Sequence, residues 1–253
     1  MITDLQKASI LKRIAAGIFD LILLCVFSVG FAWMLTEVLD YSTHSEQLSA
    51  TIAQYEESYN VDLNISESEY NALSEADQQR VLEASKALQS DKSVQETSNL
   101  LLNLLLIITT FGILLAVVLL EFVIPLVLKN GQTIGKKIFA IGLVRIDSVQ
   151  LTPVQLFTRT ILGKFTVEIM VPVYIIIMMY FGSANMLGII LLFGIPLAQL
   201  VSIIASRTNS LIHDKMAGTV AVDIASQMIF RTPDDLIAYK KKIHAEQAAR
   251  SNY

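Results

Sequence analysis

Charge is scarce in this sequence, and cysteine nearly absent. Asp, Glu, Lys and Arg make up 17% of the 253 residues, whereas a soluble domain of this length normally carries about a quarter. The shortfall is uneven, because long stretches hold almost no charge. The one cysteine, Cys25, lies inside the first apolar run, which excludes an intramolecular disulfide and a cysteine-based metal site. Also missing are a nucleophile–base set, a metal-ligand cluster and a cofactor fingerprint. The chain is therefore not expected to be an enzyme or to hold a cofactor or metal, and nucleic acid is not an expected partner.

What fills the sequence instead is apolar, at 53%. A membrane-spanning helix needs about 20 such residues in a row. Ile14 to Leu35 supplies a first run and Leu100 to Leu128 a second. The third, Phe165 to Phe181, contains Pro172, and the fourth is Met186 to Ala205. Only Gly182-Ser183-Ala184-Asn185 separates the last two, a tight turn that makes them antiparallel neighbours. Pro125, Pro172 and Pro196 sit within runs, as membrane helices allow when neighbours satisfy the freed carbonyl. The first run is too long for a cleaved signal peptide, contains Asp20 and lacks a small-x-small site before Glu37. The expected fold is an all-α, four-helix transmembrane bundle embedded in a lipid bilayer.

Orientation follows from Lys and Arg in the flanks. Residues 1–13 carry three, residues 129–164 six and residues 207–253 seven, whereas segment 40–98 carries three against twelve acids, a net of −9. The acidic segment is expected outside a cell membrane, with both termini cytosolic. Four regions result: 1–39, the N-terminus and first helix; 40–98, an extracytoplasmic insertion; 99–230, the remaining helices with a cytosolic loop; and 231–253, a basic cytosolic tail.

Segment 40–98 has no proline or glycine and is rich in Glu, Ser, Gln and Ala. Ser74-x-x-Asp77 resembles a helix start, and Leu73, Val81, Ala84 and Leu88 form a thin apolar stripe. A helical hairpin and a solvated spacer are both consistent with this. Asn64-Ile65-Ser66 fits a glycosylation sequon only as a pattern. The loop Asn130-Gly131-Gln132-Thr133-Ile134-Gly135-Lys136-Lys137 looks like a phosphate loop, but its glycines are too close and no strand precedes it, so nucleotide binding is rejected. Ile138 to Ile146 reads as extended. Thr152-Pro153-x-Gln155 then opens a helix, read as interfacial and feeding the third span. Thr219 to Ile224 is a second extended run. From Thr232-Pro233-Asp234-Asp235 a capped tail helix is expected, whose Lys240-Lys241-Lys242 either touches anionic lipid or is solvated.

Carboxylates are costly inside a bilayer, yet Asp20, Glu121 and Glu168 all fall within runs, toward one side of the membrane. Arg13, Arg159, Lys164 and His213-Asp214-Lys215 lie at the same level. Acids and bases at one depth neutralise each other through charge-assisted hydrogen bonds. Two readings of Asp20 stand side by side. In one it pairs with Arg13 or a neighbour and locks helices together; in the other a desolvated carboxyl exchanges protons or cations near neutral pH. His213 has no second ligand at useful spacing and reads as a hydrogen-bonded cap.

The stretch Lys12-Arg13-Ile14-Ala15-Ala16-Gly17-Ile18-Phe19-Asp20 resembles the opening signature of the RDD family of membrane proteins. Gly131 to Lys137 is similar to its central motif and Ile212 to Val220 to its closing one. The resemblance maps the family's defining Arg, Asp and Asp onto Arg13, Asp20 and Asp214. It implies transport, with sodium–proton exchange proposed for some members; the long acidic segment departs from the compact family pattern. There is also an internal echo. Arg13-x3-Gly17-x-Phe19 recurs as Arg159-x3-Gly163-x-Phe165, and Ile141-Gly142-x-Val144-x-Ile146-Asp147 as Ala217-Gly218-x-Val220-x-Val222-Asp223. Such parallel repeats align Asp20 with Thr166 and predict that the two extended segments pair as a small sheet.

Two functions follow as expectations. The first is a transporter or exchanger of protons, sodium or a small solute. Asp20 is then the coupling carboxylate, Arg13 and Asp214 its charge partners and Glu121 a second titratable group, with Arg159, Glu168 and His213 completing the network. Four helices make a thin wall, so this version predicts a homo-oligomer. The second is a membrane adaptor or regulator that binds a protein partner through segment 40–98.

Overall fold

The computed structural model of the protein describes residues 5–128, 130–183 and 185–251. Residues 1–4 of the N-terminal region, Lys129 in the basic loop, Ala184 of the tight turn and residues 252–253 of the tail lie outside the described residues. Helix α1 runs over Ile10–Val38. Helices α2 (Tyr41–Tyr59), α3 (Glu67–Ala72) and α4 (Glu75–Ser90) follow, then the long α5 (Lys92–Val127). Next come α6 (Ile134–Ile138), strand β1 (Ile141–Arg145), α7 (Pro153–Tyr180) and α8 (Met186–Ala205). Helix α9 (Ile212–Ala217), strand β2 (Thr219–Asp223) and α10 (Pro233–Ser251) complete the order. Four of these helices, α1, α5, α7 and α8, are long and apolar enough to cross a membrane. Their outward-facing large side chains are mostly apolar, with Leu, Ile, Val, Phe and Met prominent, as a lipid surrounding favours. The protein is an all-α membrane protein.

Two spans are longer than the apolar runs suggest. Asp91 ends α4 and its carboxylate accepts the Ser93 amide at 2.8 Å, so α5 starts at Lys92 and not at Leu100. The expected interfacial helix and third span are one continuous helix, because nothing in Thr158–Lys164 breaks it. The Thr152/Gln155 capping box opens it as expected, and a π-helical stretch, Thr158–Met170, carries it on.

The chain divides into two compact units, Val29–Gly112 on one side and Met1–Ser28 with Ile113–Tyr253 on the other. Within the first, segment 40–98 is helical. Ser66 and Ser74 cap α3 and α4, and Val81 and Ala84 of the expected stripe are buried where α4 meets α2. Tyr55 donates its hydroxyl to Asp91 at 2.9 Å.

The second unit is built on the two-stranded sheet. Strands β1 and β2 pair antiparallel with Val144 opposite Val220. Those two valines are the equivalent positions of the repeat, so the register is centred as a local two-fold axis requires. The expected pairing of the extended segments is what the fold contains. On one side Ile141, Leu143 and Ala221 pack with Ala8 and Ala16; Val144, Val220 and Val222 form the other cluster, with Leu5 and Ile229 against it. The N-terminal segment lies along β2, with the Ala8 amide on the Ala221 carbonyl at 3.2 Å and the Asp223 amide on the Gln6 carbonyl at 2.9 Å. The sheet thereby fixes where α1 starts relative to α9.

Candidate functional site

Two arginines meet on one carboxylate. Arg159, in the π-helical part of α7, donates from Nε to Asp214 Oδ1 at 2.9 Å, and Arg13, near the start of α1, donates from Nη2 to Oδ2 at 3.3 Å. Thr219 Oγ1 donates to Oδ1 at 3.1 Å, and Arg13 also reaches the Asn209 carbonyl. Asp214 is fully buried and Arg159 nearly so. Burial alone raises a carboxyl pKa, but the Arg159 and Arg13 guanidiniums outweigh it and hold Asp214 well below the usual carboxylate range. This triad ties α1, α7 and α9 together.

His213 extends the network. Its Nε2 lies 2.8 Å from Arg159 Nη2, and a guanidinium only donates. Nε2 therefore carries the lone pair and Nδ1 the proton, which Nδ1 donates to Glu168 at 2.8 Å. The His213 amide donates to the same carboxylate at 3.2 Å. Burial and the Arg159 charge push the imidazole pKa down and keep it neutral. The close fit depends on Gly163, where a Cβ would stand 2.7 Å from His213 Cβ.

A second buried carboxylate, Glu121, lies where α5 widens into a π turn, Val118–Val123. Pro125 has no N–H to give the Glu121 carbonyl, and Thr160 Oγ1 donates to it instead at 3.0 Å. Lys164 pairs with Glu121 Oε1, while Oε2 has no hydrogen-bond partner among the described residues and faces Lys136 Nζ at 4.0 Å. Burial brings the Lys136 ammonium down to about 8, although Glu121 acts against the fall.

Asp20 is held differently. Thr133 Oγ1 donates to its Oδ2, and the Gly135 amide, in the first turn of α6, donates to Oδ1 at 2.8 Å. It forms no ion pair among the described residues, and the expected pairing with Arg13 does not occur, because Arg13 is turned to Asp214. Gly135 has to be glycine for this contact: a Cβ there would stand 2.4 Å from the Ala16 carbonyl and 2.8 Å from Asp20 Oδ1. Asp20 and Glu168 line a cavity of about 370 Å³ together with Arg13, Lys136, Arg159, Lys164 and His213, rimmed by Ile, Leu and Ala side chains. Glu121 and Asp214 do not line it; they stand behind its cations.

The family model that matches is that of the RDD family, over residues 7–218. The chain belongs to the RDD family. No curated protein and no solved structure matches it. The resemblance carried by Arg13, Asp20 and Asp214 is thus a membership, and in this RDD protein Arg13 and Asp214 are directly bonded while Asp20 stands apart. The seven charged or titratable residues singled out in the sequence all fall in one region, but as separate groups: Arg13, Arg159, His213, Asp214 and Glu168 form one chain of hydrogen bonds, Glu121 is paired with lysines, and Asp20 is capped by α6. Sequence reasoning missed Thr133, Gly135 and Lys136 as site residues. The signal is in Thr133-Ile134-Gly135-Lys136, an N-cap threonine before a short helix within the stretch that resembles the family's central motif. Among the described residues no cluster of three His, Cys, Asp or Glu stands ready for a metal ion.

Proposed function

We propose that this RDD-family protein is a transporter exchanging protons for sodium or another small cation across the cell membrane, with both termini cytosolic and Asp20 as the coupling carboxylate. One observation carries this reading. Asp20 faces the cavity, and among the described residues both its oxygens are bonded to neutral donors only. A proton or a cation joins such a carboxylate without displacing a fixed ammonium or guanidinium. Asp214 and Glu121 are already neutralised by buried cations, and removing one partner of a buried pair costs about 3–5 kcal/mol, so they serve as the frame. Lys136 borders the same cavity and feels the Asp20 charge; an incoming cation and the lysine proton then compete for one carboxylate. With only four helices around the pathway, the working form is proposed to be a homo-oligomer.

Reconstitution into vesicles loaded with a pH-sensitive dye tests this. A sodium gradient should drive proton movement with the wild-type protein and not with Asp20→Asn, which retains an acceptor oxygen for the Gly135 amide. Absence of cation-dependent flux in the wild type, or undiminished flux in Asp20→Asn, overturns the proposal.

A further inference from the structure

The repeat aligns Asp20 with Thr166, yet Thr166 is exposed and donates to the Ile161 carbonyl of its own helix at 2.8 Å. The acid whose backbone contact matches that of Asp20 is Glu168. Arg13 and Asp20 are separated by seven positions of α-helix, about two turns. Arg159 and Glu168 are separated by nine positions, all within the π-helical stretch Thr158–Met170. A π-helix bonds i→i+5 and uses roughly one more residue per turn than an α-helix, so nine positions again make about two turns. The extra two residues are absorbed by the wider helix, and the acid returns to the same face as the arginine.

The contacts at the far end agree. Asp20 accepts the amide of Gly135, the second residue of α6, at 2.8 Å; Glu168 accepts the amide of His213, the second residue of α9, at 3.2 Å. Each short helix leads directly into one strand of the two-fold sheet. Arg13 and Arg159, the equivalent arginines, share Asp214 between them. The arginines, the carboxylates and Val144 opposite Val220 thus hold comparable places in the two halves of the chain.

We infer that Glu168 is a second proton-binding carboxylate of the cavity, the counterpart in the second half of the chain of Asp20 in the first. Its place in a transport cycle rests on the exchanger reading; its protonation does not. Like Asp20, Glu168 lines the cavity and forms no ion pair with Lys or Arg among the described residues. The groups facing it are His213 on α9 and Gln199 on α8, with Arg159 behind the imidazole on its own helix and Arg13, Asp20, Lys136 and Lys164 on the shared wall. His213 is already committed, since Nε2 accepts from Arg159 and Nδ1–H donates to Glu168. An incoming proton from the cavity thus settles on a Glu168 oxygen. The carboxylate becomes a carboxylic acid, and the imidazole stays neutral.

The chain has three histidines, so nitrogen NMR of the histidine-labelled, full-length protein in lipid nanodiscs resolves His213 directly. A ring protonated on Nδ1 is expected, whose Nδ1 resonance shifts with pH as Glu168 loses its charge while Nε2 stays unprotonated. That shift should vanish in Glu168→Gln and persist, with a moved midpoint, in Glu168→Asp. A His213 ring insensitive to pH in the wild type, a proton found on Nε2, or an unchanged shift in Glu168→Gln overturns the inference. Vesicle flux measured alongside keeps the two readings apart: a wild type without flux sinks the exchanger, while the His213 titration still decides whether Glu168 takes a proton.

Discussion

Arg13 and Arg159 end on the same carboxyl group, one on each oxygen of Asp214. They come from different spans, and the residue they share sits on a six-residue helix. The charge cluster is therefore a tie between α1, α7 and α9, and its cost when broken differs for each member.

Replacing Asp214 by Ala leaves Arg159 buried without a counter-ion, and Arg13 without its carboxylate. A loss of about 3–5 kcal/mol is expected, read as a drop in thermal or denaturant stability in detergent. Asp214→Leu combined with Arg159→Met should be less damaging than Asp214→Ala, because the buried Arg159 charge is then not left unpaired and only the more exposed Arg13 loses its carboxylate. A stability of Asp214→Ala within about 0.5 kcal/mol of the wild type, the range of an ordinary surface change, would contradict the buried tie.

The pH dependence of stability has a determined sign. His213 is held below its ordinary pKa, so below about 6.5 the unfolded chain binds a proton that the folded chain resists, and stability falls as the pH drops. Asp214 is held well below the carboxylate range; its contribution is complete above about 4, the unfolded value, and is lost as the pH falls toward the folded one. Thermal melts of the wild type should decline in both windows. His213→Gln should remove the decline in the upper one only.

Much of the frame was legible in the sequence because lipid imposes a simple rule: an apolar run of span length folds as a helix. The capping box at Thr152, the N-cap at Ser74 and the pairing of the two valine-centred segments were legible as local chemistry with a fixed spacing. What the sequence hid lies in three dimensions. Arg13 turning to Asp214 and away from Asp20 depends on where the sheet seats α9. Glu168 replacing Thr166 as the equivalent of Asp20 depends on a π-helical winding that hydrophobic periodicity does not reveal. Gly135 read as a loop glycine until its closeness to Ala16 and Asp20 showed why no Cβ fits.

That closeness makes the two contact glycines comparable. Gly135→Ala pushes a methyl into the Ala16 carbonyl and the Asp20 carboxylate, and Gly163→Ala into the His213 backbone and Cβ. Each should cost about 1–3 kcal/mol, the range for overpacking a tight interface. Gly17→Ala, with open space around its Cβ position, should be nearly neutral in the same melts. Equal tolerance at all three positions would show that α6 and α9 are not seated as described.

Lys136 offers a direct probe of the cavity. Its ammonium is brought down to about 8 by burial, with Glu121 and Asp20 opposing the fall and Arg159 and Lys164 adding to it. Only the neutral amine reacts with an acylating reagent, so a small, neutral reagent should modify Lys136 with a midpoint near pH 8. Asp20→Asn removes a negative charge that favours the ammonium, and the Lys136 midpoint should move lower still. Peptide mapping across a pH series checks both statements. A Lys136 midpoint at the ordinary lysine value, or one that rises in Asp20→Asn, would show that Asp20 and Lys136 do not sense each other across the cavity.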